Sequence, residues 1–397
     1  MPGDSQVSRF LGTDIAIAND LKHAPADPGT HERRKKNLFV IVRQLGEGGD
    51  GVVEQWSHLP TNTQIAVKKP HNNHGSRQAV LHEIGNLNML GAHDHIVHMI
   101  AFETALLSPV LCLQLCEFGN LLDYRANWCD QEEAERRPDW PSDITIWKLY
   151  KDMSLALDFI HNKQQVSYVH NDLKPENILV SAPAHWEPES GIPKEPIFKI
   201  TDFARLMAYP PAPSGHYNRY CGTSEYAPPL IERNFPIHPA VDIWGLGATI
   251  QTFKTGRSST QSRQAYVRDM VAQGKPHPAL FDDEAWHNAD VRWQRSVVYR
   301  PLNVSAATLE SEYDLIGTKD NYTPSSNTLE RAYRVLWHSE ASERINSAAL
   351  VKHVVPRIDR TITILESSMR AAQLLEAASK LREKVSVEQV QRLMHPV

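Results

Sequence analysis

The residues with the clearest capacity for chemistry lie at 168–180, which read YVHNDLKPENILV. Asp172 stands two residues before Lys174 and five before Asn177, on a loop between short apolar, β-like pieces. The set suits phosphoryl transfer, because a carboxylate can orient a hydroxyl proton, an ammonium can neutralise a phosphate oxygen and an amide can hold a divalent ion. Alone, this spacing is more typical of a charged surface loop, so its interpretation depends on partners elsewhere in the chain.

A glycine-rich turn lies far upstream of this loop. Gly46, Gly48 and Gly51 have G-x-G-x-x-G spacing within LGEGGDGVV. This spacing also opens dinucleotide-binding folds, where a helix follows it, but here an apolar, β-branched stretch at 52–58 predicts a strand. The turn therefore predicts a flap over nucleotide phosphates. Asp50 at its tip would repel a triphosphate unless its side chain points to solvent.

The next predicted strand ends in IAVK, which makes Lys68 a candidate partner for phosphate. A lysine whose stem merely packs along the sheet is the alternative, and the adjacent Lys69 competes for the role. Strand alternation places Lys68 on the face opposite Val67 and favours it. Apolar residues at helical spacing follow at about 76–90, and Glu83 among them is the natural ion-pair partner of Lys68.

Two further motifs follow the polar loop. Asp202 begins a D-F-A triplet after a short predicted strand, and Thr223 lies in CGTSEY. With the glycine turn, the IAVK strand and the HND loop, these motifs stand in family-like order. From about Leu38 to about Val355 the chain resembles a eukaryotic-type protein kinase.

This resemblance implies a role for each candidate residue, with ATP as nucleotide and Mg²⁺ as metal. Asp172 would be the catalytic base, and Thr223 would orient both Asp172 and Lys174. Backbone groups at 114–116 would bind adenine. The implied catalytic residues are Asp172, Lys174, Lys68 and Glu83, the implied nucleotide contacts are Gly46, Gly48, Gly51, Val53, Ala66, Lys68, Gln114 and Cys116, and the implied metal ligands are Asn177 and Asp202.

The resemblance also implies an α+β, two-lobed kinase-like fold. A small antiparallel β lobe with one main helix would occupy about 38–116, and a mostly helical large lobe about 117–355. Residues 1–37 lack a periodic pattern and predict a flexible tail, whereas 356–397 predict a helical tail. Its last short helix would begin at a capping box formed by Ser386 and Gln389. Two polar, proline-containing stretches predict an insertion at 128–141 and a surface loop at 181–196.

The chain departs from the kinase pattern in four places. Asn171 replaces an arginine that often clamps a phosphorylated activation loop, so we predict constitutive competence or control by partners. Ala204 carries a Cβ where glycine is usual and restricts the backbone. Leu230 replaces the glutamate that pairs with a distant arginine; Arg344 is the candidate arginine and Glu232 the nearest substitute acid. The departing residues are Asp50, Asn171, Ala204 and Leu230.

The favoured function is transfer of the ATP γ-phosphate to Ser or Thr hydroxyls of protein substrates. The principal alternative is a pseudokinase, a nucleotide-binding or scaffolding module that transfers little phosphate; the four departures support it. A small-molecule kinase on the same fold is a third reading, against which the G-T-x-x-Y element argues.

Composition narrows the remaining choices. The 397 residues carry a net charge of −5 and a pI near 6.4, which predicts no nucleic-acid partner. The four cysteines are too scattered for a disulfide framework, and Cys112 and Cys116 lack a second pair at zinc-ligand spacing. No signal-peptide pattern and no apolar run of about 18 residues occurs, so we expect an intracellular protein without a membrane span. The cytoplasm is the favoured location and the nucleus an alternative; the sequence leaves the oligomeric state open.

Overall fold

The computed structural model describes residues 13–21, 38–104, 108–135, 141–210, 219–317 and 322–394. The chain forms the predicted two-lobed α+β fold, with one antiparallel sheet in the small lobe and a mostly helical large lobe. In the sheet, β5 inserts between β3 and β4, which gives the order β1-β2-β3-β5-β4. The elements of the small lobe are a helix at 13–21 (α1), β1 (Phe39–Gly48), β2 (Gly51–His58), β3 (Thr63–Lys69), α2 (His74–Leu90), β4 (Met99–Glu103) and β5 (Val110–Gln114).

Helix α1 covers one face of this sheet and α2 covers the other. Strand β3 is therefore buried on both sides, and its alternate side chains enter two separate apolar clusters. Ala66 faces the cluster of α2. The residues packed on the α1 side include Ile17, Leu21, Ile65, Val67 and Ala101.

The position of α1 differs from the flexible tail predicted for 1–37. Ile17 and Leu21 lie four residues apart, on one helix face, and bury themselves against the sheet. Two hydrogen bonds to histidine rings fix the helix ends: Asp14 Oδ2 lies 2.7 Å from His98 Nε2, and Asp20 Oδ2 lies 2.9 Å from His58 Nε2. The apolar stripe was too short to stand out in the sequence, and the sheet supplies the surface that makes it a packed helix.

The large lobe consists of helices and two short two-stranded sheets. Strand β6 pairs with β9 and β7 pairs with β8, both antiparallel. The elements are α3 (Leu121–Glu135), α4 (Asp143–Asn162), β6 (Ser167–Val169), β7 (Ile178–Ser181), β8 (Ile197–Ile200), β9 (Met207–Tyr209), α5 (Ala240–Thr255), α6 (Arg263–Ala272), α7 (Asp283–His287), α8 (Ala289–Gln294), α9 (Ala306–Tyr313), α10 (Asn327–Arg334), α11 (Ser347–Ala349) and α12 (Val355–Met394).

Helices α4 and α5 form the centre of this lobe. The apolar stripe of α4 is buried, from Ile146 to Ile160, and α5 is buried along its whole length. Gly245 lets α5 approach the catalytic loop, because a Cβ there would lie 3.0 Å from the Leu173 carbonyl oxygen. The core of the large lobe therefore packs against the polar loop at 168–180.

The two predicted irregular stretches have different outcomes. The predicted insertion at 128–141 is helical in its first part, because residues 128–135 continue α3 and Trp128 is buried. Of the rest of that stretch, only residue 141 lies within the described residues. The predicted loop at 181–196 does connect β7 and β8. It is anchored, because Trp186 packs edge-to-face on Phe118 at 5.2 Å and the Tyr124 hydroxyl donates to the Pro193 carbonyl.

The C-terminal tail is helical, as predicted, but the predicted break at Ser386 is wrong. Helix α12 runs without interruption for 40 residues. Its first turns pack on the large lobe through Ile358 and Ile362, whereas Leu375 is 73% exposed. The capping-box pattern fails because propagating an existing helix costs less than starting a new one. No helix in the described ranges combines the length and apolar character needed to cross a bilayer.

Candidate active site

Three charged side chains meet where the sheet faces the large lobe. Lys68 Nζ of β3 lies 2.6 Å from Glu83 Oε2 of α2 and 3.0 Å from Asp202 Oδ1. Burial by itself would lower the pKa of Lys68, but the two carboxylates outweigh it and raise the pKa above its ordinary value. Lys68 therefore stays an ammonium ion inside the cleft.

The two carboxylates respond differently to the same cation. Burial raises the pKa of the fully buried Glu83, although Lys68 acts in the opposite direction. Burial would also raise the pKa of Asp202, but Lys68 lowers it overall. Lys69, the competing candidate, lies elsewhere: its Nζ is 2.6 Å from Glu54 Oε2 and 5.6 Å from the centre of the Trp56 ring.

The glycine flap (residues 46–51) is the hairpin between β1 and β2, with Gly48 paired to Gly51. Its tip is tied to the rest of the small lobe. The Gly48 carbonyl oxygen lies 2.7 Å from His71 Nε2, and the Gly49 carbonyl accepts from Ser76 Oγ at 3.2 Å. Gly51 has φ +150°, and a Cβ there would lie 2.1 Å from the Lys69 carbonyl oxygen, so the hairpin requires glycine at this position.

The predicted adenine region lies at the end of β5. Ala66 pairs with Leu113 across β3 and β5, and Val53 pairs with Lys68 across β2 and β3. The Gln114 N–H donates to the His98 carbonyl at 2.9 Å, so that donor is committed to the protein. The Cys116 carbonyl likewise accepts from Gly119 N at 3.2 Å. No backbone hydrogen bond of the Cys116 N–H is found within the described residues.

The catalytic loop is braced from α5. Asp242 accepts from the backbone N–H groups of His170 at 2.7 Å and Asn171 at 2.9 Å. The His170 ring lies 2.9 Å from the Thr201 carbonyl oxygen and packs edge-to-face on Phe203. Asp242 thus braces the backbone of this loop, and His170 links the loop to the D-F-A segment.

Asp172 is nearly fully buried and touches four side chains. Its Oδ1 accepts from Thr223 N and Thr223 Oγ1, both at 2.8 Å. Its Oδ2 lies 3.4 Å from Lys174 Nζ and 3.4 Å from Asn177 Nδ2. Thr223 Oγ1 also lies 2.9 Å from Lys174 Nζ, which is the contact predicted for this hydroxyl. The fourth neighbour was not predicted: Arg205 Nη1 lies 2.5 Å from Oδ2.

Asn177 and Asp202 provide the oxygen donors that a hard divalent cation prefers. The Asn177 amide nitrogen donates to the Asp172 carbonyl at 2.8 Å, which directs its own side-chain oxygen elsewhere. The Asn177 backbone carbonyl accepts from Thr201 N at 3.0 Å, directly beside Asp202. The pair fits a divalent cation that is also held by phosphate and water. In the parts of the chain that are described, no cluster of three or more His, Cys, Asp or Glu side chains offers another metal site.

Comparison with known proteins settles the family. A profile described as a protein kinase domain matches residues 39–355. The chain belongs to the protein kinase domain family. Such domains use ATP and a divalent metal, which agrees with the two donor sets above.

The kinase is similar to several curated proteins at low identity. It is 26% identical over 259 residues to sperm motility kinase 3A of Mus musculus, 64% of this chain and 43% of the relative. It is 25% identical over 304 residues to serine/threonine-protein kinase 33 of Bos taurus, 75% and 57% respectively. It is 28% identical over 281 residues to serine/threonine-protein kinase PKZ1 of Phytophthora infestans (strain T30-4), 67% and 65%. The chain therefore spans less than two thirds of the length of these relatives.

Asn171 has its own structural role in this kinase. It adopts a left-handed backbone conformation with φ 70°, which asparagine tolerates better than most residues. Its Nδ2 lies 2.9 Å from Cys221 Sγ and 3.2 Å from Met207 Sδ, and its Oδ1 accepts from Cys221 N at 3.3 Å. The side chain thus joins the catalytic loop directly to the segment that carries Thr223.

The missing glutamate at 230 is replaced as the sequence suggested. Arg344 forms a two-pronged ion pair with Glu232, with Nη–Oε distances of 2.5 and 3.1 Å. The Arg344 guanidinium also lies 4.9 Å from the centre of the Trp244 ring. Leu230 is 43% exposed. The anchor is therefore present, displaced by two residues along the chain.

Arg205 is the residue that sequence reasoning missed. It directly follows the D-F-A triplet, in the short 3₁₀ turn Phe203–Arg205. The available signal was a basic side chain immediately after a metal-binding motif, in a chain whose flap carries the unusual Asp50. Only the fold shows that this guanidinium reaches Asp172.

Proposed function

We propose that this kinase domain transfers the γ-phosphate of ATP to Ser or Thr hydroxyls of protein substrates, with Mg²⁺ as the metal. One observation supports this most strongly: Asp172, Lys174 and Thr223 form one hydrogen-bonded cluster beside the Lys68–Glu83–Asp202 group. These charged and polar side chains matter most for phosphate transfer, because this catalysis consists mainly of positioning and charge neutralisation.

Each residue has a defined task in this proposal. Lys68, held by Glu83, would bind phosphate oxygens, and Asn177 with Asp202 would hold the metal, which supplies charge neutralisation between the phosphates. Asp172 would orient the acceptor hydroxyl and take its proton. Lys174 would neutralise charge on the transferred group. Thr223 supports a Ser or Thr acceptor, since the resemblance to kinases implies this role for its hydroxyl, which contacts both Asp172 and Lys174.

Radiolabelled ATP with a generic protein acceptor tests the proposal. We expect label in the acceptor with the wild-type chain, on serine or threonine after acid hydrolysis, and none with Asp172→Asn. Asp290→Asn is the matched control, because Asp290 is an exposed acid of the same lobe. Equal background in wild type and Asp172→Asn would instead favour the second candidate, a pseudokinase.

The pseudokinase reading has one specific observation in its favour. Arg205 lies against Asp172, where an acceptor hydroxyl would have to bind. In that reading the ion pair is permanent, and the fold binds nucleotide without transferring phosphate. Calorimetric binding of a nucleotide with Mg²⁺, combined with absent transfer, would be its signature.

A further inference from the structure

Residues 219–226, here called the acceptor segment, carry Thr223 to the base. Thr223 binds Asp172 through its N–H and its hydroxyl, and its own carbonyl accepts from the Tyr220 hydroxyl at 3.0 Å. Burial raises the pKa of the Tyr220 hydroxyl well above its ordinary value, so this group stays a neutral donor. Tyr220 therefore helps to fix the Thr223 backbone, and through it the two contacts to Asp172.

Trp293 of α8 supports the Tyr220 ring. The two rings pack edge-to-face, with 6.1 Å between their centres and 71° between their planes. This geometry is favourable because the positive edge of one ring meets the negative face of the other. The contact joins a helix of the large lobe to the acceptor segment, at the residue whose hydroxyl holds Thr223.

Helix α8 is itself anchored in the large lobe. The buried Arg233 donates from Nη1 to the Trp293 carbonyl and from Nε to the Pro228 carbonyl, the latter at 2.8 Å. Burial lowers the pKa of Arg233 to about 10, which leaves the guanidinium charged at neutral pH. Just beyond the helix, Gln261 N donates to the Ser296 carbonyl at 2.7 Å. The Trp293 backbone is therefore held by contacts of its own and can support the acceptor segment.

A second contact between α8 and the acceptor segment is ionic. Arg292 Nε lies 2.9 Å and its Nη2 lies 2.7 Å from Glu225 Oε1. The Arg292 side chain is 44% exposed, so solvent screens this ion pair and its contribution to stability is small. The aromatic contact between Trp293 and Tyr220 is therefore the one expected to hold the acceptor segment in place.

We propose that Trp293 and Tyr220 are positioning residues that orient the base through Thr223. The Trp293 ring holds the Tyr220 ring, the Tyr220 hydroxyl holds the Thr223 carbonyl, and Thr223 holds the Asp172 carboxylate. Helix α8 thereby contributes to phosphate transfer through contacts alone, without supplying a group to the reacting atoms. This inference rests on the proposed function, because it takes Asp172 as the base.

Steady-state kinetics with a serine peptide that the wild-type chain phosphorylates test the proposal in Trp293→Ala, Tyr220→Phe and the double variant. Trp293→Ala should lower kcat about ten-fold, because small displacements of positioned groups slow the reaction strongly. Tyr220→Phe removes only the hydroxyl and should lower kcat about three-fold. The double variant should lie within about two-fold of Trp293→Ala, because both changes act through the same Thr223 contact. The KM for ATP should change by less than about two-fold throughout.

Two further variants separate positioning from general damage to the lobe. Trp293→Phe keeps an aromatic ring beside Tyr220 and should restore most of the lost kcat. Phe281→Ala removes a 95% exposed aromatic ring from the turn before α7 and should behave as wild type. Fully additive losses in the double variant, or a loss in Phe281→Ala equal to that in Trp293→Ala, would overturn the proposal.

Amide hydrogen exchange of the full chain is a readout that does not depend on catalysis. The Thr223 N–H donates to Asp172, so loosening the acceptor segment should let it exchange. We expect exchange over the acceptor segment to become about ten-fold faster in Trp293→Ala, while α5 stays as protected as in the wild type. Unchanged exchange in the acceptor segment would overturn the proposal even if the wild type transfers phosphate. Faster exchange in a chain whose wild type transfers no phosphate would confirm that α8 holds Thr223 and reject the proposed function instead.

Discussion

The nucleotide side and the acceptor side of the cleft are held by different kinds of contact. On the nucleotide side, Lys68 of the small lobe bridges Glu83 of α2 and Asp202 of the D-F-A segment through two short ion pairs. On the acceptor side, Asp172 depends on residues 33 and 51 positions away, Arg205 and Thr223, which lie in the segment after the D-F-A triplet.

The two sides also differ in how closely they follow the kinase pattern. The nucleotide side keeps Lys68, Glu83 and Asp202 with their expected pairing, although it departs from the pattern at Asp50 and Ala204. The acceptor side has Asn171 for arginine, Leu230 for glutamate and a cation on the base, yet it retains bonded contacts at each place. Few other side chains can replace a charged group that binds phosphate. Two chain segments, in contrast, can be held together by several kinds of hydrogen bond or ion pair.

The largest effect is expected from a substitution on the nucleotide side of the cleft. Lys68→Met should lower phosphate transfer about a thousand-fold, because it removes a preorganised cation from the phosphates. Lys69→Met is the matched control and should stay within about three-fold, since Lys69 pairs with Glu54 and not with the cleft. Thermal unfolding of both variants must accompany the assay, because Lys68→Met leaves the buried Glu83 unpaired. Similar activities in the two variants would contradict the assignment of Lys68.

The second prediction tests the displaced anchor of the acceptor side. Glu232→Gln should lower the free energy of unfolding by about 3 kcal/mol, because it leaves the fully buried Arg344 side chain without its counter-charge. Leu230→Glu, which restores the family residue, should not raise stability, since Arg344 is already paired. Denaturant unfolding of both variants checks this. A gain in stability from Leu230→Glu would show that Glu232 is an incomplete replacement.

The third prediction concerns Asn171 and has the smallest expected effect. Asn171→Gly keeps the left-handed backbone but removes the contacts to Cys221 and Met207. We expect phosphate transfer to fall about ten-fold, with nucleotide affinity changed by less than about two-fold, because only the acceptor side loses an anchor. Asn62→Gly is the control, since Asn62 has φ 53° in an exposed turn. If both variants lose activity equally, backbone flexibility and not the Asn171 side chain is responsible.

Much of the fold and site followed from motifs whose chemistry is local. The glycine flap, the strand with Lys68 and the helix with Glu83 were predicted because each is a short stretch with its own pattern, and strand alternation separated Lys68 from Lys69 correctly. The Glu232–Arg344 pair was predicted through the family pattern. Helix α1 was missed, since Ile17 and Leu21 form too short a stripe to predict packing without the sheet beside it.

The sequence by itself determined the kinase fold, the polar set of the cleft and the order in which the chain supplies it, because those features depend on residue type and local spacing. Only the tertiary structure decided what touches Asp172, how the flap tip is tied to His71 and Ser76, and where residues 13–21 pack. These contacts join residues distant in the chain. Their energy depends on distance, burial and competing partners, which exist only once each lobe has folded.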